Sequence, residues 1–500
     1  MDRTFPALLA RMQELKDLNG VIGLATWDQE TYLPAKASDA RAHQLSTLQG
    51  LYHERLVDPR LGEVLAWAAS RSELDADQRA MVRVLTHERD RAVRVPQALV
   101  KALAEAQSRA LNAWRQARKE KRFALFQPAL ARLLQLRREQ ADAYGHDGER
   151  YDALLEGYEP GMRVSRLTPV LTALRDALIP MVAAIGSAPR KVADLPEGRR
   201  FDAEAQWRFS LKLLEATGFD LEAGRQDRSI HPFTGGTHPR DVRLTTRIDE
   251  ANPLNALFST IHEAGHGLYE QGFDEAHYRT PLAASPSMGL HESQSRLWEN
   301  VVGRSRAFWE HFFPALGESF PEALSGVGLD TFLGAVNRVS PSLIRTEADE
   351  VTYNLHIVLR YELELLLIHD ELPLEDVPAA WNERMRRYLG VTPPDDVLGV
   401  LQDIHWSWGE FGYFPTYALG NLYSASLYRA AERAIPELTG HIRRGELLPL
   451  RDWLRDNIHR EGYRVPAEEL IRKVTGQGLT DADFLSYLKG KYGALYGVSL

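Results

Sequence analysis

The run His262-Glu263-Ala264-Gly265-His266 can work as a unit only if its backbone is helical. On an α-helix, residues at i and i+4 project from one face, so the two imidazoles can grip a single tetrahedral metal ion. Glu263 is then swung to the side where water enters. Two ligands and a general base thus fall within about one turn, which is hydrolytic zinc chemistry. The flanks fit the requirement: Asn252 can cap the helix, Pro253 suits its first turn and Gly272 can end it. Between them Leu254, Leu257, Phe258, Ile261 and Leu268 supply an apolar stripe. The plainer alternative gives the two histidines surface or core roles, and a chain with 16 histidines must face it. A capped, amphipathic helix around the pair favours the metal.

A working site needs a third ligand, and zinc hydrolases of this kind often take a glutamate from a helix downstream. The segment from Ser285 to Asn300 is such a place, punctuated by Pro286 and Gly289 and then strongly helix-forming. Glu292 is the candidate. His291, Glu299 and Glu270 compete with it, and spacing alone does not separate them. Two neutral imidazoles and one carboxylate would leave a divalent ion net positive, which helps it acidify water.

His262 to His266 followed by His291-Glu292-Ser293-Gln294 resembles the carboxypeptidase Taq family of zinc metallocarboxypeptidases. The family's other signatures are present: His231-Pro232-Phe233; Asp241, Arg243 and Thr245 as DxRxT; Ile344-Arg345 with Ala348-Asp349 as IRxxAD; and Gly399, Gln402, Asp403, His405 and Trp406 as GxxQDxHW. The likeness runs from Trp27-Asp28-Gln29-Glu30, through Tyr151 to Leu155 and Tyr413 to Tyr417, to the tail around Trp453-Leu454-Arg455. It implies a mainly α fold: a helical single-domain zinc peptidase spanning residues 1–500, with a deep cleft and a small β-sheet beside the active-site helix. It implies an enzyme, often a homodimer, that removes single residues from free peptide C termini with broad specificity. His262, His266 and Glu292 become the zinc ligands, with Co2+ able to substitute, and Glu263 the catalytic base. Arg345 is implied as the anchor for the substrate's terminal carboxylate. His231, Asp241, Arg243, Thr245, His405 and Tyr417 are candidate substrate contacts, and packing is an equal prospect for each.

Elsewhere the helical period dominates: Leu99 to Ala117, Ala124 to Tyr144, Leu167 to Ala184, Ala203 to Ala216 and Val351 to His369 all read as helices. Strand signal is sparse, clearest in Asp241 to Ile248, where apolar and β-branched residues alternate with polar ones. That strand can pair with Ser229 to Phe233 across the turn-rich Thr234-Gly235-Gly236-Thr237. A sheet edge beside a zinc-binding helix could hold an extended peptide by its backbone. The aromatic group Trp406, Trp408, Phe411, Tyr413 and Phe414 reads as core rather than pocket wall.

A net charge of −9 with interspersed signs gives no nucleic-acid surface. The absence of cysteine excludes disulfides, thiol catalysis and cysteine-bound zinc. No run reaches membrane-spanning length, and Met1 to Pro6 lead into an amphipathic helix rather than an apolar signal core, so no membrane partner and a cytoplasmic location are expected. Two rivals stand beside the carboxypeptidase reading. One is a helical zinc oligopeptidase that cuts internally. The other is a non-enzymatic protein with a structural histidine pair, against which Glu263 argues, because a structural site needs no carboxylate beside its ligands.

Overall fold

The computed structural model describes residues 3–500, so Met1 and Asp2 of the N-terminal reading lie outside it. Four helices come first: α1 (Phe5–Thr31), α2 (Ser38–Val57), α3 (Pro59–Ala69) and α4 (Ala76–Arg94). They build a hydrophobic cluster of their own around Leu8, Met12, Leu61, Val64 and Leu85, which Leu282 joins from the body of the molecule. Next are α5 (Gln97–Glu120), α6 (Gln127–Tyr144), α7 (Arg150–Leu155), α8 (Val164–Gly186) and α9 (Ala203–Thr217). Three short strands follow, β1 (Gly224–Arg228), β2 (Thr234–His238) and β3 (Asp241–Thr246). Then come α10 (Pro253–Gln271) and α11 (Met288–Arg296), which runs straight into a π-helical turn at Leu297–Val302. The remainder is α12 (Arg306–Ser319), α13 (Leu329–Val336), α14 (Tyr353–Ile368), α15 (Val377–Leu389), α16 (Pro415–Ala434), α17 (Leu438–Arg443), α18 (Leu448–Asn457), α19 (Ala467–Thr475) and α20 (Ala482–Tyr496). All five helices expected from periodicity are present, within a few residues at each end.

Two expectations need correction. The turn-rich Thr234 to Thr237 is itself strand β2, antiparallel to β3, while Ser229 to Phe233 is the connection leading into it. The sheet order is β1-β3-β2, with β1 parallel to β3. Propensity misled here because the packing partner is remote in sequence: a Cβ on Gly20 of α1 would lie 2.7 Å from the Thr237 carbonyl oxygen and one on Gly23 3.2 Å from that of Gly236, so a glycine face of that helix rests on the backbone of β2. The second correction concerns α8, which is long and apolar enough to cross a membrane by length and composition. Leu167, Leu171, Leu174 and Leu178 are fully buried at helical spacing, and the helix packs on α14, α15 and α20. Its apolarity serves the core.

The larger core surrounds α10, α11, α14 and α16. Helix α10 packs on β3 and α9, and it crosses α11 at Gly265. There a Cβ would stand 2.6 Å from the Gln294 carbonyl oxygen. Only a glycine lets the two helices approach so closely. From the other helix, α16, Gly420 does the same for Glu292: a Cβ would lie 2.5 Å from its Cγ. Two glycines therefore set how deeply the downstream helix seats.

Candidate metal centre

Helix α10 starts as its sequence dictates, with Asn252 Oδ1 accepting from the Leu254 amide at 3.1 Å and Pro253 in the first turn. Its last turn closes at Gly272, and Leu257, Phe258, Ile261 and Leu268 are buried. The inner face carries His262 and His266. Across the crossing, α11 begins at its Ser287 cap and delivers Glu292. One ligand atom from each of His262, His266 and Glu292 lies within 4.8 Å of the others. Glu292 Oε2 is 3.5 Å from His266 Nε2 and 3.9 Å from His262 Nε2.

Such a set fits a divalent ion, and the surroundings agree. His262 turns Nδ1 to Glu299 Oε2 at 2.8 Å, which leaves Nε2 facing the other ligands. Burial works against a charged His262, yet Glu292 and Glu299 outweigh it and raise its pKa, so the field at this point favours a cation. Burial pushes His266 down to about 3 and keeps it in the neutral, ligating form. Burial alone would raise Glu299, but the bond to His262 and the nearby Arg296 and Arg304 hold it well below the usual carboxylate range. Arg296 Nε also donates to Glu292 Oε1 at 2.7 Å, fixing the third ligand's carboxylate from its far oxygen. Glu299 is therefore a partner of a ligand, and Glu270 likewise bonds His291 rather than the cluster. The π turn sets Glu299 in that place.

Glu263 is buried beside the ligands, and the Thr234 hydroxyl donates to its Oε2 at 2.6 Å. Burial raises its pKa, opposed mainly by His262 and the Thr234 bond. His262, Glu263 and Glu292 border a cavity of about 660 Å³ that also receives Pro232, Phe258, Arg345, Tyr353 and Tyr417, with His266 set behind them. Arg345 is buried there, its Nε and one terminal nitrogen on Asp403 Oδ1 at 3.1 and 3.0 Å. Its other terminal nitrogen donates to the Tyr353 hydroxyl at 2.9 Å. Asp403 is shared with Arg360, whose Nε donates to Oδ2 at 2.7 Å. Two guanidinium groups share one carboxylate, so the Arg345–Asp403–Arg360 trio by itself carries about one net positive charge.

A profile of the carboxypeptidase Taq (M32) metallopeptidase family matches residues 7–492. The chain belongs to the carboxypeptidase Taq family. Membership makes it a metallocarboxypeptidase, a hydrolase of peptide bonds. It is 45% identical to thermostable carboxypeptidase 1 of Thermus thermophilus over 99% of both chains. Among solved structures, the M32 carboxypeptidase of Deinococcus radiodurans R1 superposes with a TM-score of 0.97 at 43% identity, covering 99% of this chain and 100% of that one. The Pyrococcus furiosus carboxypeptidase gives 0.95 at 36% identity, covering 98% and 99%.

The carboxypeptidase Taq signatures divide by position. His405 is buried, with its Nε2 3.4 Å from the Tyr417 hydroxyl, and burial takes it down to about 4. Trp406, Phe411 and Phe414 are core, Trp406 stacking on Phe411, whereas Trp408 is exposed. The DxRxT residues do not border the cavity. Asp241 and Arg243 form a bidentate pair, and the Arg243 guanidinium sits 4.3 Å over the ring of Trp27 on α1. Thr245 is buried and bonds Ser229 and the Phe233 amide. His231 is exposed on the connection into β2. Asp241, Arg243 and Thr245 brace the sheet and α1, and none of the four borders the cavity beside the ligands. Sequence reasoning missed Thr234 outright, because a threonine in a presumed turn carries no signal. Arg296 was legible as the i+4 partner of Glu292.

Proposed function

We propose that the chain is a zinc-dependent carboxypeptidase releasing single amino acids from free peptide C termini, with Glu263 as general base. The observation that carries this is the cluster of His262, His266 and Glu292 beside Glu263, opening onto a cavity that Arg345 also borders. Zinc, when bound, lowers the pKa of water and polarises a carbonyl. Glu263 takes the proton of the attacking water. Thr234 occupies its Oε2, and Oε1 takes no hydrogen bond from a described residue, so one oxygen is free for the task. Its raised pKa suits it to hold that proton and return it to the leaving amine. Tyr417, in the cleft beside neutral His405, is the donor we assign to the developing oxyanion. Arg345 binds the terminal carboxylate and makes the enzyme an exopeptidase.

Broad specificity is the reading we take from the family resemblance, and a cleft lining that mixes polar residues such as Asn255, Thr346 and Asn421 with apolar ones such as Leu254, Phe258 and Val336 is compatible with it. Cobalt is expected to replace zinc, and a cytoplasmic homodimer is the form we infer from the family resemblance; light scattering measures the latter. The deciding test follows unblocked and C-terminally amidated peptides by mass. Stepwise loss of one residue from the free acid, abolished by a chelator and restored by zinc or cobalt, is the expected result. Internal fragments appearing first from both peptides would make the protein an oligopeptidase.

A further inference from the structure

The two histidines of α10 are held in different ways. His262 has the carboxylate of Glu299 on its outer nitrogen. His266 has nothing comparable: its Nδ1 is buried and has no hydrogen-bond partner among the described residues. Metal-binding imidazoles almost always donate their second N–H to a carboxylate, carbonyl or water, because that bond fixes tautomer and ring orientation. Something else must hold this ring.

What lies against it is His291, stacked at 4.5 Å between ring centroids with the planes 19° apart. His291 belongs to α11, one residue before Glu292. Its Nε2 is 2.9 Å from Glu270 Oε1. Glu270 lies one turn beyond His266 on α10, so the loop closes from His266 by stacking to His291, by hydrogen bond to Glu270, and along the helix back to His266. Tyr269 flanks the other contact of His291 at 5.5 Å, and His459 continues the column at 5.1 Å from Tyr269. Glu270 in turn interacts with the Lys16 ammonium of α1, which donates to the Ala283 carbonyl at 2.6 Å. The ring stack is thereby tied to both metal-bearing helices and to the first helix of the chain.

We propose that His291, fixed by Glu270, is the positioning residue for His266: a stacked ring replaces the missing hydrogen bond and locks the second and third ligands in register. Flatness, rather than ligation or charge, is what His291 contributes. The proposal rests on the zinc reading above, so its test separates the two. His266→Ala should abolish tight zinc binding, and retention there would overturn the ligand set itself. His291→Ala should weaken zinc by about 10–100-fold in a chelator competition and broaden the visible spectrum of the cobalt form, with kcat falling and KM nearly unchanged. His291→Phe combined with Glu270→Gln keeps a flat ring without stranding a carboxylate. It should recover most of the zinc affinity and the parent cobalt spectrum. The apo proteins' melting curves serve as the folding control, and the Phe/Gln variant keeps the test open if His291→Ala fails to fold. Parent-like zinc affinity in His291→Ala would overturn the proposal. So would a Phe/Gln variant that loses zinc as fully as His266→Ala, since that would make His291 a ligand.

Discussion

Removing Arg345 should cost the enzyme its preference for a free C terminus, and the structure sets the size of the loss. Asp403 lies between Arg345 and Arg360, so Arg345→Ala changes the local balance from about plus one to zero without stranding the aspartate, which keeps its bonds to Arg360. A carboxylate about 4 Å from a guanidinium gains roughly 4 kcal/mol at an effective dielectric of about 20, and partial desolvation of both groups takes back about 1. The remaining ~3 kcal/mol corresponds to about 150-fold in kcat/KM for the free-acid peptide. Amidating the peptide should cost the parent enzyme about as much. The two losses should not add, because both remove one interaction. The assay is a four-cornered cycle of parent and Arg345→Ala against acid and amide, with kcat/KM from product mass. Equal amidation penalties in parent and variant would refute the assignment and return Arg345 to a purely structural ion pair.

Within the metal centre, Glu263→Gln should keep near-stoichiometric zinc while lowering turnover by several orders of magnitude, whereas Glu292→Ala should lose zinc affinity; metal analysis with single-turnover kinetics reads both. Gly420→Ala places a Cβ against Glu292, so zinc affinity should fall with little change in circular dichroism, and unchanged affinity would free Glu292 from its dependence on α16. Glu159 is buried against the start of α11, where it accepts from the Gly289 amide, and burial raises it to about 8 from an ordinary 4.5. Its protonated form is favoured by the fold, so the stability it contributes is complete below about 4.5 and is lost as pH rises through about 8. Glu159→Gln should therefore flatten the decline of melting temperature between those limits, and a parallel decline in both proteins would contradict the assignment.

The sequence by itself determined the parts governed over a few turns of chain. Asn252, Pro253 and Gly272 bound α10, the i, i+4 spacing put His262 and His266 on one face, and apolar periodicity marked the long helices, because caps and helical stripes depend on neighbours within about a dozen residues. The ordered motifs pointed to the family. Tertiary structure decided the rest. Spacing left Glu270, His291, Glu292 and Glu299 as rivals; the crossing at Gly265 and the approach of Gly420 seat Glu292 on the histidines, and the π turn gives Glu299 to His262. Thr234 to Thr237 read as a turn because glycine and threonine are weak local evidence for a strand, yet β2 forms against β3 where Gly20 and Gly23 let α1 rest on its backbone. Asp241, Arg243 and Thr245 carried a family pattern but face α1 and the sheet, and Arg345 gained its positive surplus only when Asp403 and Arg360 met it from distant segments. Local rules fix which face a residue occupies. Which charge or ring it meets across that face depends on how closely two elements pack, and that is a property of the whole core.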